Sequence, residues 1–127
     1  MPCDVDIASE FRYREPPVAP RTLALFVSQS GETADTLAAL RYMRGRAAMV
    51  ASLVNVGTSS IARESDLALA ILAGVEVSVA STKAYVNQLT ILALMAVQAA
   101  AQRGALSPQE VRDHIQSLEK LAITMRF

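Results

Sequence analysis

A hydroxyl-rich hexapeptide, Ser28-Gln29-Ser30-Gly31-Glu32-Thr33, carries the side chains of this sequence that are best suited to holding a ligand. It follows an apolar run over 23–27 that is typical of a buried parallel strand, and it precedes a predicted helix over 34–44. First-turn N–H groups lack an intrahelical partner, and the helix dipole is positive at that end. Three hydroxyls and one amide add neutral donors. We interpret the hexapeptide as an anion site, for the phosphate group of a small metabolite.

The same hexapeptide also suits a purely structural turn, because Ser, Gln and Thr cap helices and satisfy turns in many proteins. It is not a P-loop, since the Gly-Lys-Ser/Thr ending is absent, and Gly31 has no partner glycines for a dinucleotide fingerprint. Taken alone, the residues leave both interpretations open. Glu32 is expected to point away from a bound dianion and to favour the first turn of the 34–44 helix through its dipole.

A second hydroxyl-rich junction, Ser78 to Lys83, opens the longest predicted helix. Ligands of open α/β sheets sit at the carboxyl ends of strands, so the two junctions can face one ligand, one taking phosphate and the other polyol hydroxyls. The alternative is an ordinary helix start, since Ser81 is a good N-cap residue.

No catalytic, cofactor or metal site is predicted. His114, the single histidine, is expected at the boundary of the last helix, and one histidine with one cysteine makes neither a metal-ligand cluster nor a Ser/His/Asp arrangement. Glu64 and Glu76 are possible bases, but nothing in their spacing selects them.

Composition limits the class of protein. The 127 residues are 52% hydrophobic and 19% charged, which predicts one globular domain, and the net charge of zero argues against nucleic-acid and anionic-membrane partners. Cys3 alone forms no internal disulfide. Asp4, Asp6 and Glu10 stand where a signal peptide needs a basic and then an apolar region. The most apolar stretch, 91–101, is too short to span a bilayer. We therefore expect a soluble, cytoplasmic protein.

The pattern of apolar residues predicts an α/β fold in which a parallel sheet is covered on both faces. An N-terminal segment (1–21) precedes a βαβ core with a long helix (22–103) and a C-terminal helix (107–125). The predicted elements are a short strand at 3–5, a helix at 8–14 with Phe11 buried, strands at 22–27, 47–56 and 66–72, a strand extension at 75–79, and helices at 34–44, 61–64, 83–103 and 107–125.

Three helices carry more specific expectations. The 107–125 helix should begin with a capping box of Ser107 and Glu110. Its buried stripe should be Val111, Ile115, Leu118, Ala122 and Met125. The 34–44 helix should bury a stripe of Ala34, Leu37, Leu40 and Met43. The 83–103 helix is apolar in nearly every direction, so the sheet should cover one side and another subunit or domain the other.

Three segments resemble a known family: 28–37 (SQSGETADTL), 63–69 (RESDLAL) and 79–85 (VASTKAY), with support from 5–14. Together they resemble the first sugar isomerase (SIS) domain of the glucosamine-6-phosphate synthase family, the glutamine–fructose-6-phosphate aminotransferases (isomerizing). The resemblance implies a three-layer αβα sandwich with a mainly parallel sheet, similar to Rossmann and flavodoxin-like folds.

The resemblance also implies roles for particular residues. Ser28, Gln29, Ser30 and Thr33 match the turn that binds the phosphate of fructose 6-phosphate, and two positions that contact the sugar match Val79, through its backbone, and Ser81. Tyr85 stands where phenylalanine is more usual, and Ser78 where glycine is.

The chain covers only part of the family pattern. Pro2 stands where the family has its nucleophilic cysteine, and we expect the glutaminase domain, the first strand and helix of this SIS domain and the second, catalytic SIS domain to be absent. The resemblance implies a piece that binds fructose 6-phosphate or glucosamine 6-phosphate, needs a second copy or a second SIS domain, and performs no catalysis alone. The alternatives are a stand-alone, non-catalytic SIS module that binds a sugar phosphate and a dimerisation scaffold.

Overall fold

The computed structural model describes residues 2–75 and 82–124, in two compact units, Met1–Tyr85 and Val86–Phe127. The first unit holds a three-stranded parallel sheet in the order β1-β2-β3. Its strands are β1 (Leu23–Ser28), β2 (Met49–Val54) and β3 (Leu67–Ala70), with Leu23 opposite Met49 and Ala51 opposite Leu67. The predicted α/β class with a parallel sheet is confirmed.

Helices connect and flank these strands. The helices of the first unit are α1 (Ala8–Arg14), α2 (Ala34–Met43) and α3 (Ser60–Glu64), and α4 (Thr82–Gln102) begins at its end. Helix α2 packs on β1, α3 packs on β2, and α2 contacts α3, so both helices lie on one face of the sheet.

The core lies between this face of the sheet and the helices. Its buried cluster is Ala24, Leu40, Met43, Val50, Val54, Ile61 and Ala62, with Phe11, Val18, Phe26, Leu37, Tyr42 and Ala47 packed against it. The predicted α1 helix is confirmed, but Phe11 is half-buried and not buried as expected; its ring meets Tyr42 edge to face at 5.8 Å between ring centroids. The Tyr42 hydroxyl also donates to the carbonyl of Pro16 at 3.2 Å, which fixes the N-terminal segment to α2.

The opposite face of the sheet is apolar too. It is buried at its centre, at Ala51 and Leu53, while its outer side chains are between 37% and 53% exposed. Those outer side chains are Leu23, Val27, Met49 and Leu67.

Several sequence expectations were wrong in detail. Residues 3–5 form no strand, and Val5 is 94% exposed, because nothing in the described chain pairs with it. The buried residues of α2 are Thr36, Ala39, Leu40 and Met43. Of the predicted stripe, Ala34 is exposed in the first turn of the helix and Leu37 is half-buried. β2 and β3 are shorter than predicted, and the 75–79 extension lies largely outside the described residues.

Helix α4 is 21 residues long, and Ala84 is its only buried residue in the described structure. Tyr85, Val86, Leu89 and Leu94 are 40–60% exposed. The expectation that the most apolar stretch is too short for a bilayer applies to 91–101 only, because the whole helix is long and apolar enough to cross a membrane by length and composition. The same properties suit a helix that packs between protein domains.

The second unit ends in α5 (Pro108–Thr124). Its start is a capping box, as predicted: the Ser107 N–H donates to Glu110 Oε2 at 2.8 Å, and the Glu110 N–H donates to Ser107 Oγ at 3.3 Å. Of the predicted apolar stripe of α5, Val111 and Leu118 are half-buried and Ile115 is exposed. The side chains of Ala122 and Met125 lie outside the described residues.

Candidate functional site

The hexapeptide 28–33 is the turn between β1 and α2, hereafter the first turn. Ser28 is buried, and its Oγ accepts the Gly31 N–H at 3.1 Å and lies 3.2 Å from the Thr33 hydroxyl. Ser30 Oγ accepts the Glu32 N–H at 3.2 Å. Two of the three hydroxyls therefore satisfy the backbone of the turn itself, while Gln29 is half-buried and Ser30 and Thr33 are exposed.

The helix that follows has an open N-terminus. Thr33 is the N-cap residue of α2, with an extended backbone, and its side chain makes no capping hydrogen bond. Its hydroxyl is instead paired with Ser28. Because no N-cap side chain satisfies the first-turn N–H groups of α2, these donors remain available at the positive end of the helix dipole.

Gly31 is required where it stands. Its φ of +70° lies in the left-handed region, and a Cβ atom there would be 2.0 Å from the Oγ and 2.5 Å from the Cβ of Ser59. Ser59 belongs to the turn between β2 and α3 (55–59), hereafter the second turn. The glycine therefore lets the two turns touch.

Hydrogen bonds also join the two turns. The Asn55 N–H donates to the carbonyl of Gln29 and the Ile61 N–H donates to the carbonyl of Gly31, both at 3.0 Å. The Ser60 N–H donates to Glu32 Oε1 at 2.7 Å. Glu32 therefore accepts a hydrogen bond from the start of α3. The expectation that it favours the first turn of α2 was wrong.

The environment of Glu32 keeps it charged. The hydrogen bond from the Ser60 backbone, then that from the Ser60 side chain, and lastly the nearby charge of Arg63 lower the pKa of the exposed Glu32 carboxyl, outweighing a small effect of burial.

The other predicted contact residues are not described: Val79 and Ser81 lie outside the described ranges, as does Glu76. Asn55, at the carboxyl end of β2, binds the segment 73–74, which precedes these residues in the sequence. Its side chain accepts from the Ala73 N–H at 3.0 Å and donates to the Gly74 carbonyl at 2.7 Å. Sequence reasoning missed Asn55 and the roles of Glu32 and Ser59. An asparagine directly after an apolar strand was the available signal.

The remaining titratable candidates are structural. Glu64 is the last residue of α3, and Arg41 binds both of its carboxylate oxygens, at 2.9 and 2.6 Å. These hydrogen bonds lower the pKa of Glu64, so Glu64 is a poor base. His114 is exposed on α5. Across residues 2–75 and 82–124, no group of three or more His, Cys, Asp or Glu side chains is arranged to hold a metal ion.

The sequence pattern of the SIS domain matches residues 1–98, and the chain therefore belongs to the SIS domain family. The chain is 61% identical over 107 residues to the glutamine–fructose-6-phosphate aminotransferase (isomerizing) of Bradyrhizobium diazoefficiens. The aligned region covers 84% of this chain and 18% of that protein. It spans about a fifth of the length of the curated relatives that it matches.

Solved structures give the same answer. The C-terminal domain of glucosamine-fructose-6-phosphate aminotransferase from Francisella tularensis superposes with a TM-score of 0.89 at 42% identity, over 94% of this chain and 34% of that one. A phosphosugar isomerase structure from Clostridium difficile gives a TM-score of 0.72 at 28% identity, over 76% and 28% of the two chains. The resemblance inferred from the sequence motifs is confirmed: this chain corresponds to a SIS segment of these aminotransferases.

Proposed function

We propose that this chain is the sugar-phosphate-binding part of a glutamine–fructose-6-phosphate aminotransferase (isomerizing), an enzyme that makes glucosamine 6-phosphate. The first turn holds the phosphate group of fructose 6-phosphate or glucosamine 6-phosphate through Ser28, Gln29, Ser30 and Thr33. The observation that carries this proposal is the uncapped N-terminus of α2. The N-termini of α3 and α5 are closed by side chains of the chain itself, and α1, which also lacks a side-chain cap, does not follow a strand of the sheet.

The hydrogen bonds of the first turn suit this role. Ser28 Oγ accepts from the Gly31 backbone, so its hydrogen is free to be donated to Thr33 Oγ1 at 3.2 Å. Thr33 then keeps its own hydrogen for a phosphate oxygen. Ser28 thus orients Thr33, while the exposed hydroxyls of Ser30 and Thr33 and the amide of the half-buried Gln29 supply neutral donors beside the α2 N–H groups.

The rest of the activity needs residues beyond those in the first turn. In this proposal Val79, through its backbone, and Ser81 contact the sugar, and the groups that open the ring and move the proton are supplied outside this chain. A second copy or a second SIS domain covers the exposed apolar side chains of α4. The proposed setting is the cytoplasm, as for a soluble enzyme of sugar metabolism.

A titration of the purified chain with fructose 6-phosphate and glucosamine 6-phosphate tests the proposal. Ser30→Ala and Thr33→Ala should each weaken binding about ten- to a hundredfold, because a hydrogen bond to a charged phosphate is worth about 1.5–3 kcal/mol. Ser117→Ala is the matched control: its exposed hydroxyl lies on α5 and donates to the carbonyl of Asp113 at 2.8 Å, so affinity should not change.

Two outcomes of the titration would contradict the proposed function. If the unmodified chain shows no binding at millimolar ligand, the isolated chain is left with the scaffold role only. Equal losses in Ser30→Ala and Ser117→Ala would contradict the assignment of phosphate to the first turn.

A further inference from the structure

Glu32 is the residue of the first turn whose presence is hardest to explain. A carboxylate next to a bound phosphate dianion is unfavourable, because like charges at short range repel. Yet Glu32 stands between Gly31 and Thr33, in the middle of the proposed phosphate-binding residues. Its hydrogen bond explains what it does instead.

Glu32 Oε1 accepts the Ser60 N–H at 2.7 Å, and Ser60 is the first residue of α3. The N–H groups of a first helical turn need acceptors from outside the helix. Ser59, the N-cap residue, supplies an acceptor to the Ala62 N–H at 3.4 Å, and Glu32 supplies the one for Ser60. The charge of Glu32 is therefore engaged by the neighbouring helix start, and the lowered pKa of Glu32 has this same cause.

Backbone hydrogen bonds and the side chain of Glu32 join the first turn to the second turn and α3, and they hold successive residues of the first turn. The carbonyls of Gln29 and Gly31 are held by backbone N–H groups of Asn55 and Ile61. The side chain of Glu32 holds the next position, directly before Thr33, which begins α2. Among these contacts, only those of Glu32 depend on a side chain of the first turn.

We propose that Glu32 is a positioning residue for the phosphate site: it ties the end of the first turn to the start of α3 and so holds Ser30, Thr33 and the N-terminus of α2 in the geometry that receives the anion. This inference rests on the proposed function of the first turn. It assigns to an acidic side chain a favourable effect on the binding of a dianion, which charge alone would not predict.

Two variants separate position from charge. Glu32→Ala removes the acceptor, and the affinity for fructose 6-phosphate and for inorganic phosphate should fall about tenfold, the value of one lost hydrogen bond of about 1.4 kcal/mol. Glu32→Gln keeps an oxygen acceptor for the Ser60 N–H and removes the negative charge. Its affinity should equal or exceed that of the unmodified chain.

Glu110→Ala is the matched control. Glu110 also accepts the backbone N–H of a serine at a helix start, at 2.8 Å from Ser107, and its pKa is lowered by the same kind of hydrogen bond. Loss of this carboxylate should leave the affinity for fructose 6-phosphate unchanged.

Each alternative gives a different result. If Glu32→Ala and Glu32→Gln both bind more tightly, Glu32 acts only as a repelling charge, and the proposal is wrong. If both leave affinity unchanged while the thermal midpoint falls, Glu32 has a structural role only, and the proposal is again wrong.

A measurement without ligand keeps the two proposals distinguishable. Amide hydrogen exchange at Ser60 and across 28–33 should be faster in Glu32→Ala than in the unmodified chain and in Glu110→Ala. If the unmodified chain binds no phosphate ligand, the proposed function fails, and faster exchange still supports the tie between the turns. Unchanged exchange in Glu32→Ala overturns the inference whatever the ligand does.

Discussion

The first turn and the second turn have similar flanking elements and compositions, but they differ in how the N-terminus of the following helix is capped. Each follows a parallel strand, precedes a helix and is rich in hydroxyls. At the second turn, Ser59 and Glu32 satisfy N–H groups at the start of α3. At the first turn, Thr33 gives α2 no side-chain cap, and the serine hydroxyls accept from N–H groups of the turn itself.

The difference shows how one set of residue types serves two purposes. At the start of α3, the Ser59 hydroxyl, the Glu32 carboxylate and the Gly31 carbonyl accept from successive N–H groups, which are then not available to a ligand. A hydroxyl that accepts from the turn before the helix fixes the turn and leaves the helix donors open. The first turn is therefore the better candidate for an anion site, although the two sequences are similar in composition.

The contact between the turns gives the largest expected effect. Gly31→Ala should lower the free energy of unfolding by about 2–4 kcal/mol, because its positive φ is unfavourable for alanine and its Cβ would overlap Ser59. Gly57→Ala in the second turn is the control, since a Cβ there meets nothing within 4 Å. Urea unfolding of both variants measures the difference.

A second substitution can strengthen this result. Ser59→Gly removes the atoms that the new Cβ would meet, so Gly31→Ala combined with Ser59→Gly should regain part of the lost stability. If the double variant is no more stable than Gly31→Ala alone, the overlap is not the cause.

The capping difference predicts opposite effects of two similar variants. Ser59→Ala should lower the free energy of unfolding by about 1 kcal/mol, the usual value of an N-cap, and leave sugar-phosphate affinity nearly unchanged. Thr33→Ala should cost less stability, because Thr33 makes no cap bond, and should weaken ligand binding. Chemical denaturation and a titration of the same samples check both, and the reverse order would contradict the comparison.

Two buried serines on the strands before these turns sharpen the comparison. Ser28 has two hydrogen-bond partners, whereas the Oγ atom of Ser52 on β2 is fully buried without one in the described structure. Ser52→Ala should therefore raise the free energy of unfolding by up to about 1 kcal/mol, while Ser28→Ala should lower it by a similar amount. Equal effects in denaturant unfolding would argue that Ser28 is not needed to shape the first turn.

The smallest expected effect is the pH dependence of the stability that the hydrogen bond between Glu32 and Ser60 provides. The pKa of Glu32 is lowered from 4.5, so folding favours its charged form, and that contribution is present above pH 4.5 and is lost as pH falls through the folded-state pKa. The thermal midpoint of the unmodified chain minus that of Glu32→Gln should be constant above about pH 5 and should shrink in more acidic buffer. A difference that does not change with pH would show that the charge contributes nothing.

The sequence predicted most of the architecture because that architecture depends on local patterns. Apolar runs and helical spacing were enough for α1, the three strands, α2, α4 and the capping box of α5. The short strand at 3–5 was wrong, because a strand needs a neighbour to pair with, and a local pattern does not supply one. The stripe of α2 was shifted because the sheet, and not the spacing alone, decides which side chains of a helix are buried.

The sequence by itself determined the α/β order, the SIS family and the hexapeptide as a place where an anion can bind. Only the tertiary structure decided that α2 is left uncapped while α3 is closed, why residue 31 has to be glycine, and that Glu32 serves α3. The physical reason is distance along the chain: Glu32 and Ser60 are 28 residues apart, and their hydrogen bond exists because parallel pairing of β1 with β2 brings the ends of the two strands side by side.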